Sequence, residues 1–323
     1  MVSGQGFELV APVFVVGPGR SGTSLVRNLL NLDPEVAIAP ESHFLDLWLP
    51  RFADRGAPRR VVEELWPAYA SSRLVERLGL DDAALARLAQ APDPRSLFAG
   101  IVRSFADPRR ASVVGEKTPA HFRYVDRLLE WFPDARVVFV LRDPRSVVAS
   151  LVVLDASWAS GTLADHIALW RDAARAAIAW RGDPRVTVVR YEDLVADPLG
   201  HIPDLHQFLT GRSFDPAWMQ RLPDAGLVAA TGSLRPDQGV SNARIGAWRD
   251  RLSEREATAV VVACRREMQA LGYEVPAVAL PTVARRRVHL LGLQARRALA
   301  RAARAARAPS SARRRIRYRR RSL

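Results

Sequence analysis

Residues 13–30 constrain the fold of this chain more than any other stretch. Val13-Phe14-Val15-Val16 is short, apolar and rich in β-branched residues, the pattern of a buried strand. Gly17-Pro18-Gly19-Arg20-Ser21-Gly22 follows as a turn. Beyond it Leu25, Val26, Leu29 and Leu30 recur at helical spacing. A strand that feeds through a glycine-rich turn into a helix leaves backbone N–H groups pointing into the turn. The helix dipole adds about half a positive charge there. The junction is predicted to hold an anion.

The spacing resembles a phosphate-binding loop of the form G-x-x-x-x-G-K-[ST], met by Gly17, Gly22 and Ser24. Thr23 stands at the lysine position, and the loop's cation is Arg20 instead. A nucleoside-triphosphate enzyme would lack the lysine that reaches its outer phosphates. An early arginine with hydroxyls at Ser21, Thr23 and Ser24 suits a phosphate-like group of lower charge.

Four more strand-like runs end in polar residues. Residues 36–39 lead into Pro40-Glu41-Ser42-His43-Phe44, and Val113-Val114-Gly115 into Glu116-Lys117-Thr118-Pro119. Residues 136–141 lead into Arg142-Asp143-Pro144, and 185–190 into Tyr191-Glu192-Asp193-Leu194. Polar residues just past strand ends lie where open α/β sheets bind ligands. Strands alternating with helical patterns predict an α/β fold, with a central parallel sheet of four to five strands and helices on both faces. Residues 60–108 carry no strand pattern and are punctuated by prolines, which predicts a helical insertion after the second strand. Trp66, Tyr69 and Phe98 within it read as core. A helix is expected over 121–131. Asp143 before Pro144 predicts a helix cap, Asp193 the start of another helix, and Ser253 with Glu256 a capping box. Residues 224–247 read as loop by composition.

Of 48 lysines and arginines, Lys117 is the one lysine. In so arginine-biased a chain, it marks a position that calls for a compact ammonium rather than a planar fork.

Arg20-Ser21-Gly22-Thr23-Ser24 behind an apolar strand, with Arg142 and Ser150 eight residues apart behind a later one, resembles the sulfotransferases that use PAPS (3′-phosphoadenosine 5′-phosphosulfate). The layout is closest to the protein-tyrosine and carbohydrate sulfotransferase type found in bacteria, and it covers residues 11 to about 272. The resemblance implies a three-layer P-loop-like fold and metal-independent transfer of a sulfuryl group to a hydroxyl or amine. It assigns Gly19, Arg20, Ser21, Gly22, Thr23 and Ser24 to the 5′-phosphosulfate, and Arg142 and Ser150 to the 3′-phosphate. Tyr191 falls near the adenosine, while Ser241 and Arg244 fall in a late loop that closes over the donor. Lys117 would stabilise the oxygen bridging sulfur and phosphorus. Glu41, 21 residues after Arg20, stands where the tyrosine sulfotransferases carry a glutamate base. His43 is the alternative, since cytosolic sulfotransferases use a histidine; Glu41 equally fits a helix N-terminal glutamate. Small-molecule, glycan, lipid and peptide acceptors all remain open.

The chain's 323 residues and 48% hydrophobic content allow a full α/β core. Its net charge of +14 is unevenly placed: residues 285–323 hold fifteen arginines and no acid, which leaves about −1 for the rest. Residues 1–280 are expected to form the α/β domain and 281–323 a basic tail, helical or disordered. Such a tail suits an anionic membrane surface, nucleic acid or an acidic partner, or is a solvated segment shaped by arginine bias, and nothing in it resembles a defined nucleic-acid module. A single cysteine, Cys264, excludes an intrachain disulfide and a cysteine metal site. No run approaches the roughly 18 to 20 apolar residues of a membrane span, and the first residues lack a signal-peptide layout, so a cytoplasmic protein is expected, peripheral at the membrane if the tail binds there. Two other readings stay open: a P-loop kinase or nucleotide-binding protein with a degenerate loop, and a non-enzymatic adaptor with a basic tail.

Overall fold

The structure is a computed structural model and describes residues 7–54, 56–154, 161–221, 234–235, 239–240, 242 and 244–277. Ser241 and the basic segment 281–323 lie outside the described residues.

Strands β1 (Val13–Val16), β2 (Val36–Ala39), β3 (Val113–Lys117), β4 (Arg136–Leu141) and β5 (Val186–Arg190) form one parallel sheet in the order β2-β3-β1-β4-β5. The helices are α1 (Thr23–Leu30), α2 (Leu49–Phe52), α3 (Pro58–Ala70), α4 (Arg73–Leu78), α5 (Asp82–Leu88), α6 (Pro94–Ala106), α7 (Val125–Trp131), α8 (Pro144–Val152), α9 (Leu163–Ala179), α10 (Tyr191–Ala196), α11 (Pro198–Thr210) and α12 (Glu254–Ala270).

Both faces of the sheet are covered, which is why its strands read as continuous apolar runs. Val13, Val15, Ile38, Val138 and Val140 pack on one side with leucines of α1, α10 and α11. Phe14, Val16, Ala37, Val137, Phe139 and Leu141 pack on the other side with α3, α6, α7, α8, α9 and α12. Three layers result, with five strands in the middle one. Helices α2 to α6 form the insertion between β2 and β3, and Trp66, Tyr69 and Phe98 are buried in it. Phe44 joins this insertion to the sheet through ring contacts with Tyr69 and Phe98.

Most helix ends follow the sequence. Asp143 caps α8 by accepting from the Arg145 amide at 2.8 Å, and the Ser253–Glu256 box opens α12. Three expectations need correction. The helix foreseen over 121–131 starts as a 3-10 turn, Pro119–Tyr124, and becomes α7 only at Val125, because Tyr124, at φ −129° and ψ 23°, leaves helical geometry between the two. Asp193 lies inside the first turn of α10, whose cap is Arg190. Leu234–Arg235 and Gly239–Val240 pair antiparallel in the segment read as loop.

The connection leaving β1 runs to one side of the sheet and that leaving β4 to the other. The crevice between those strand ends is the switch point where such sheets bind ligands. Register fixes what meets there and beside it. Ala39 pairs with Glu116 and Val15 with Lys117, so Glu41 and Lys117 emerge side by side.

Candidate active site

The loop after β1 is shaped by contacts that only glycine tolerates. Gly17 has φ +148°, and a Cβ there would lie 2.3 Å from the Val140 carbonyl oxygen. Gly22 has φ +101°, and a Cβ there would meet the Tyr191 ring at 2.5 Å. Arg20 itself sits at φ +71°, an unfavourable conformation for a side chain, of the kind found at functional sites. The Ser21 hydroxyl is buried and hydrogen-bonds to no group among the described residues. Thr23 and Ser24 open α1.

Arg20 Nε donates to Ser150 Oγ at 3.0 Å. This bond ties the first loop to α8, so two segments that the sequence assigned to opposite ends of one ligand lie together. Arg142, Arg244 and Arg251 line the same pocket with Ser146, Ala149 and Trp248. Arg142 donates to the Arg244 carbonyl at 2.7 Å, and its buried Nε has no partner. Among the described residues none of these four arginines is ion-paired to a carboxylate. Burial, and then the neighbouring guanidiniums Arg142, Arg244 and Arg251, lower the Arg20 pKa. A pocket of mutually repelling cations with a free N–H fits a dianionic phosphate. Tyr191 is fully buried, with its ring under Gly22 and the Arg142 guanidinium 4.3 Å from its centre. It acts on the site by supporting these two residues. Trp170 Nε1 fixes the Arg142 carbonyl at 2.7 Å.

Lys117 is only 2% exposed. Its ammonium donates to Ser24 Oγ at 3.2 Å and to Glu41 Oε1. Arg77, from α4 of the insertion, holds the other oxygen, Oε2. Burial raises the Glu41 pKa, but Lys117, Arg77 and His43 outweigh it and keep the carboxyl below its usual range. Burial lowers the Lys117 pKa, and Glu41 recovers part of the loss. The sequence candidates therefore fall into two groups: Arg20, Arg142, Ser150 and Arg244 line one pocket, and Ser24, Lys117 and Glu41 form a hydrogen-bonded chain at the start of α1. His43, in the left-handed conformation, is turned to Asp46, with Nδ1 3.2 Å from Oδ2.

Beneath Glu41 lies a buried polar network that sequence reasoning missed. Glu116 Oε1 accepts from the Ser42 amide at 3.0 Å, from the Ser42 hydroxyl at 2.9 Å and from the Thr118 hydroxyl. Its Oε2 lies 3.2 Å from His121 Nδ1. His121 Nε2 faces Asp46 Oδ1 at 3.4 Å and the Leu45 amide at 3.2 Å. A charged ring donates to the carboxylate and a neutral one accepts from the amide, so either form has a partner. Burial opposes the charge, yet Glu116 and Asp46 push the His121 pKa up to about 9. The network holds Ser42 between Glu41 and His43, and Thr118 beside Lys117. An acid within an apolar strand, in Val-Val-Gly-Glu116, was the available signal. Arg77 gave none, because its insertion helix reads as an ordinary amphipathic segment.

Residues 12–216 match the model of the sulfotransferase family. The chain belongs to that family. The nodulation protein NoeE of Sinorhizobium fredii is 28% identical over 297 residues, covering 81% of this chain and 65% of that protein. The omega-hydroxy-beta-dihydromenaquinone-9 sulfotransferase Stf3 of Mycobacterium tuberculosis is 25% identical over 250 residues, covering 61% of this chain and 62% of that protein. The chain thus spans just under two-thirds of the length of these curated relatives. The sulfotransferase domain of a Synechococcus olefin synthase superposes with a TM-score of 0.56 at 22% identity, covering 83% of this chain and 98% of that domain, a likeness of fold. Among the described residues of this sulfotransferase, no helix is long and apolar enough to cross a membrane.

Proposed function

We propose that this sulfotransferase moves a sulfuryl group from PAPS to a hydroxyl or amine acceptor. The observation that carries the reading is the cationic pocket between the ends of β1 and β4, lined by Arg20, Arg142, Arg244 and Arg251, none of which is ion-paired to a carboxylate among the described residues. Arg142 and Ser150 would hold the 3′-phosphate there, joined by Arg20, which the resemblance assigned to the 5′-phosphosulfate but whose bond to Ser150 supports a role at the 3′ side. The loop amides of residues 19–24 and the free Ser21 hydroxyl would hold the 5′ side. The donor supplies the sulfuryl group and a phosphate leaving group.

The chain's own residues supply charge and proton transfer. Lys117 and the N-terminus of α1 concentrate positive charge beside Ser24, where an oxygen gains charge as the sulfur–oxygen bond breaks. The acceptor oxygen forms the new bond to sulfur, its proton passes to Glu41, and the electron pair of the broken bond stays on the phosphate oxygen. Lys117 is the last residue of β3 and Glu41 lies two residues past the end of the neighbouring β2, so sheet register brings the two together. We further propose that residues 281–323 form a separate basic tail that attaches to anionic membranes.

Calorimetry with PAP, the desulfated product, tests the donor assignment against the kinase reading. PAP binds without metal, and Arg142→Ala removes about 1.5–3 kcal/mol, a loss of roughly 10- to 100-fold. Preference for ATP with Mg²⁺, or PAP affinity unchanged in Arg142→Ala, would replace the proposal.

A further inference from the structure

We infer that the acceptor carries an anionic group beside the hydroxyl or amine it presents, and that Arg77 and Arg27 bind that group. The inference rests on the proposed roles of Lys117 and Glu41 and concerns the acceptor side of the same site.

The charges there do not balance. Among the described residues Glu41 is the one carboxylate bonded to the cluster, and it holds two cations, Lys117 on one oxygen and Arg77 on the other. A third cation, Arg27, lies one turn beyond Ser24 on α1, the residue that accepts from Lys117. Arg27 is bonded to the Asn28 side-chain oxygen, at 3.2 Å through Nε and 2.8 Å through Nη2. Among the described residues no carboxylate lies within ion-pair distance of it. Burial lowers its pKa, Glu41 acts against this from nearby, and Arg77 and Arg109 add to it. Lys117 serves the donor side. Arg77 shares the charge of Glu41 with Lys117, and Arg27 has no carboxylate of its own among the described residues, so positive charge is in excess on the acceptor side.

The geometry also shows how such a group would act. Arg77 projects from α4 with half its side chain exposed, within reach of an incoming ligand. While it is bonded to Oε2, Glu41 is a poor proton acceptor. A carboxylate or phosphate on the acceptor competes for Arg77, frees a lone pair on Glu41 and raises its basicity. An acceptor lacking the anion leaves the carboxylate clamped. His43, 3.2 Å from Asp46 through Nδ1, lies near Glu41.

The test is calorimetry on the PAP-loaded full chain with three pairs that differ only in charge: 4-hydroxyphenylacetate and 4-ethylphenol, glucuronate and glucose, glycerol 3-phosphate and glycerol. In at least one pair the anionic member is expected to bind about tenfold tighter or more. Arg77→Gln and Arg27→Gln should each erase that advantage while PAP affinity is retained. Equal binding within every pair, no binding by any anion, or an advantage that survives both substitutions would overturn the inference. Failure of PAP itself to bind would instead overturn the donor assignment.

Discussion

Arg20 Nε lies 3.0 Å from Ser150 Oγ, a bond between residues 130 positions apart that closes the crevice at the switch point of the sheet. It makes the first loop and α8 one binding surface. Removing the hydroxyl in Ser150→Ala deletes one ligand contact and the partner that orients Arg20. PAP affinity should fall about 3- to 10-fold, and Arg20→Ala should cost more than Ser150→Ala, both read by calorimetry. An Arg20→Ala variant with full affinity would mean that the bond serves only packing.

Lys117 and Glu41 should separate kinetically from the arginine pocket. Lys117→Ala is expected to lower kcat by about 10²- to 10³-fold with PAP affinity nearly unchanged. Glu41→Gln should likewise remove most turnover while PAP still binds. Equal losses of turnover and PAP affinity in Lys117→Ala would assign the ammonium to nucleotide binding. Activity surviving in Glu41→Gln would move the base to His43.

Gly22 is held by conformation and by contact with Tyr191. Gly22→Ala should destabilise the fold by about 2 kcal/mol, a fall of roughly 4–8 °C in the unfolding midpoint, and should weaken PAP binding as the loop shifts. Gly79, also at positive φ but with open space around it, should lose less on the same substitution.

The fold was legible wherever one short-range signal decided the outcome. Buried parallel strands read as apolar runs, caps as Asp-Pro or Ser-x-x-Glu, and the insertion as proline-punctuated helix. That Arg20, Arg142 and Ser150 would lie together was also legible, since each follows a strand that announces itself. The acceptor side was less so. Arg77 meets Glu41 only because the insertion folds back over β2, and no local pattern encodes that return. Glu116 and His121 meet across a strand end and a 3-10 turn, where charged residues in sequence look like solvent-facing ones. Tyr191, expected near the adenosine, is fully buried against Gly22 and the Arg142 guanidinium.

The buried network makes a pH prediction. The His121 pKa, raised to about 9, lies above its unfolded value of about 6.5, so its stabilising contribution is complete below about 6.5 and fades as pH rises through 9. The Glu116 pKa is depressed: burial raises it, but His121, Thr118 and the Ser42 amide outweigh that, so its contribution fades as pH falls below the ordinary glutamate range. Unfolding midpoints should peak between about pH 5 and 6.5 and decline toward pH 9, by on the order of 3 kcal/mol or roughly 6–12 °C. His121→Gln should flatten the alkaline limb. An unchanged limb in that variant would show that His121 is neutral in the fold and accepts from Leu45.

The most direct test of the account is a crystal structure of the chain with PAP. The account predicts the 3′-phosphate among Arg20, Arg142 and Ser150, and the 5′-phosphate against the amides of residues 19–24 with Lys117 alongside. A nucleotide bound with its 3′ side away from the end of β4, or bound outside the crevice between β1 and β4, would contradict it.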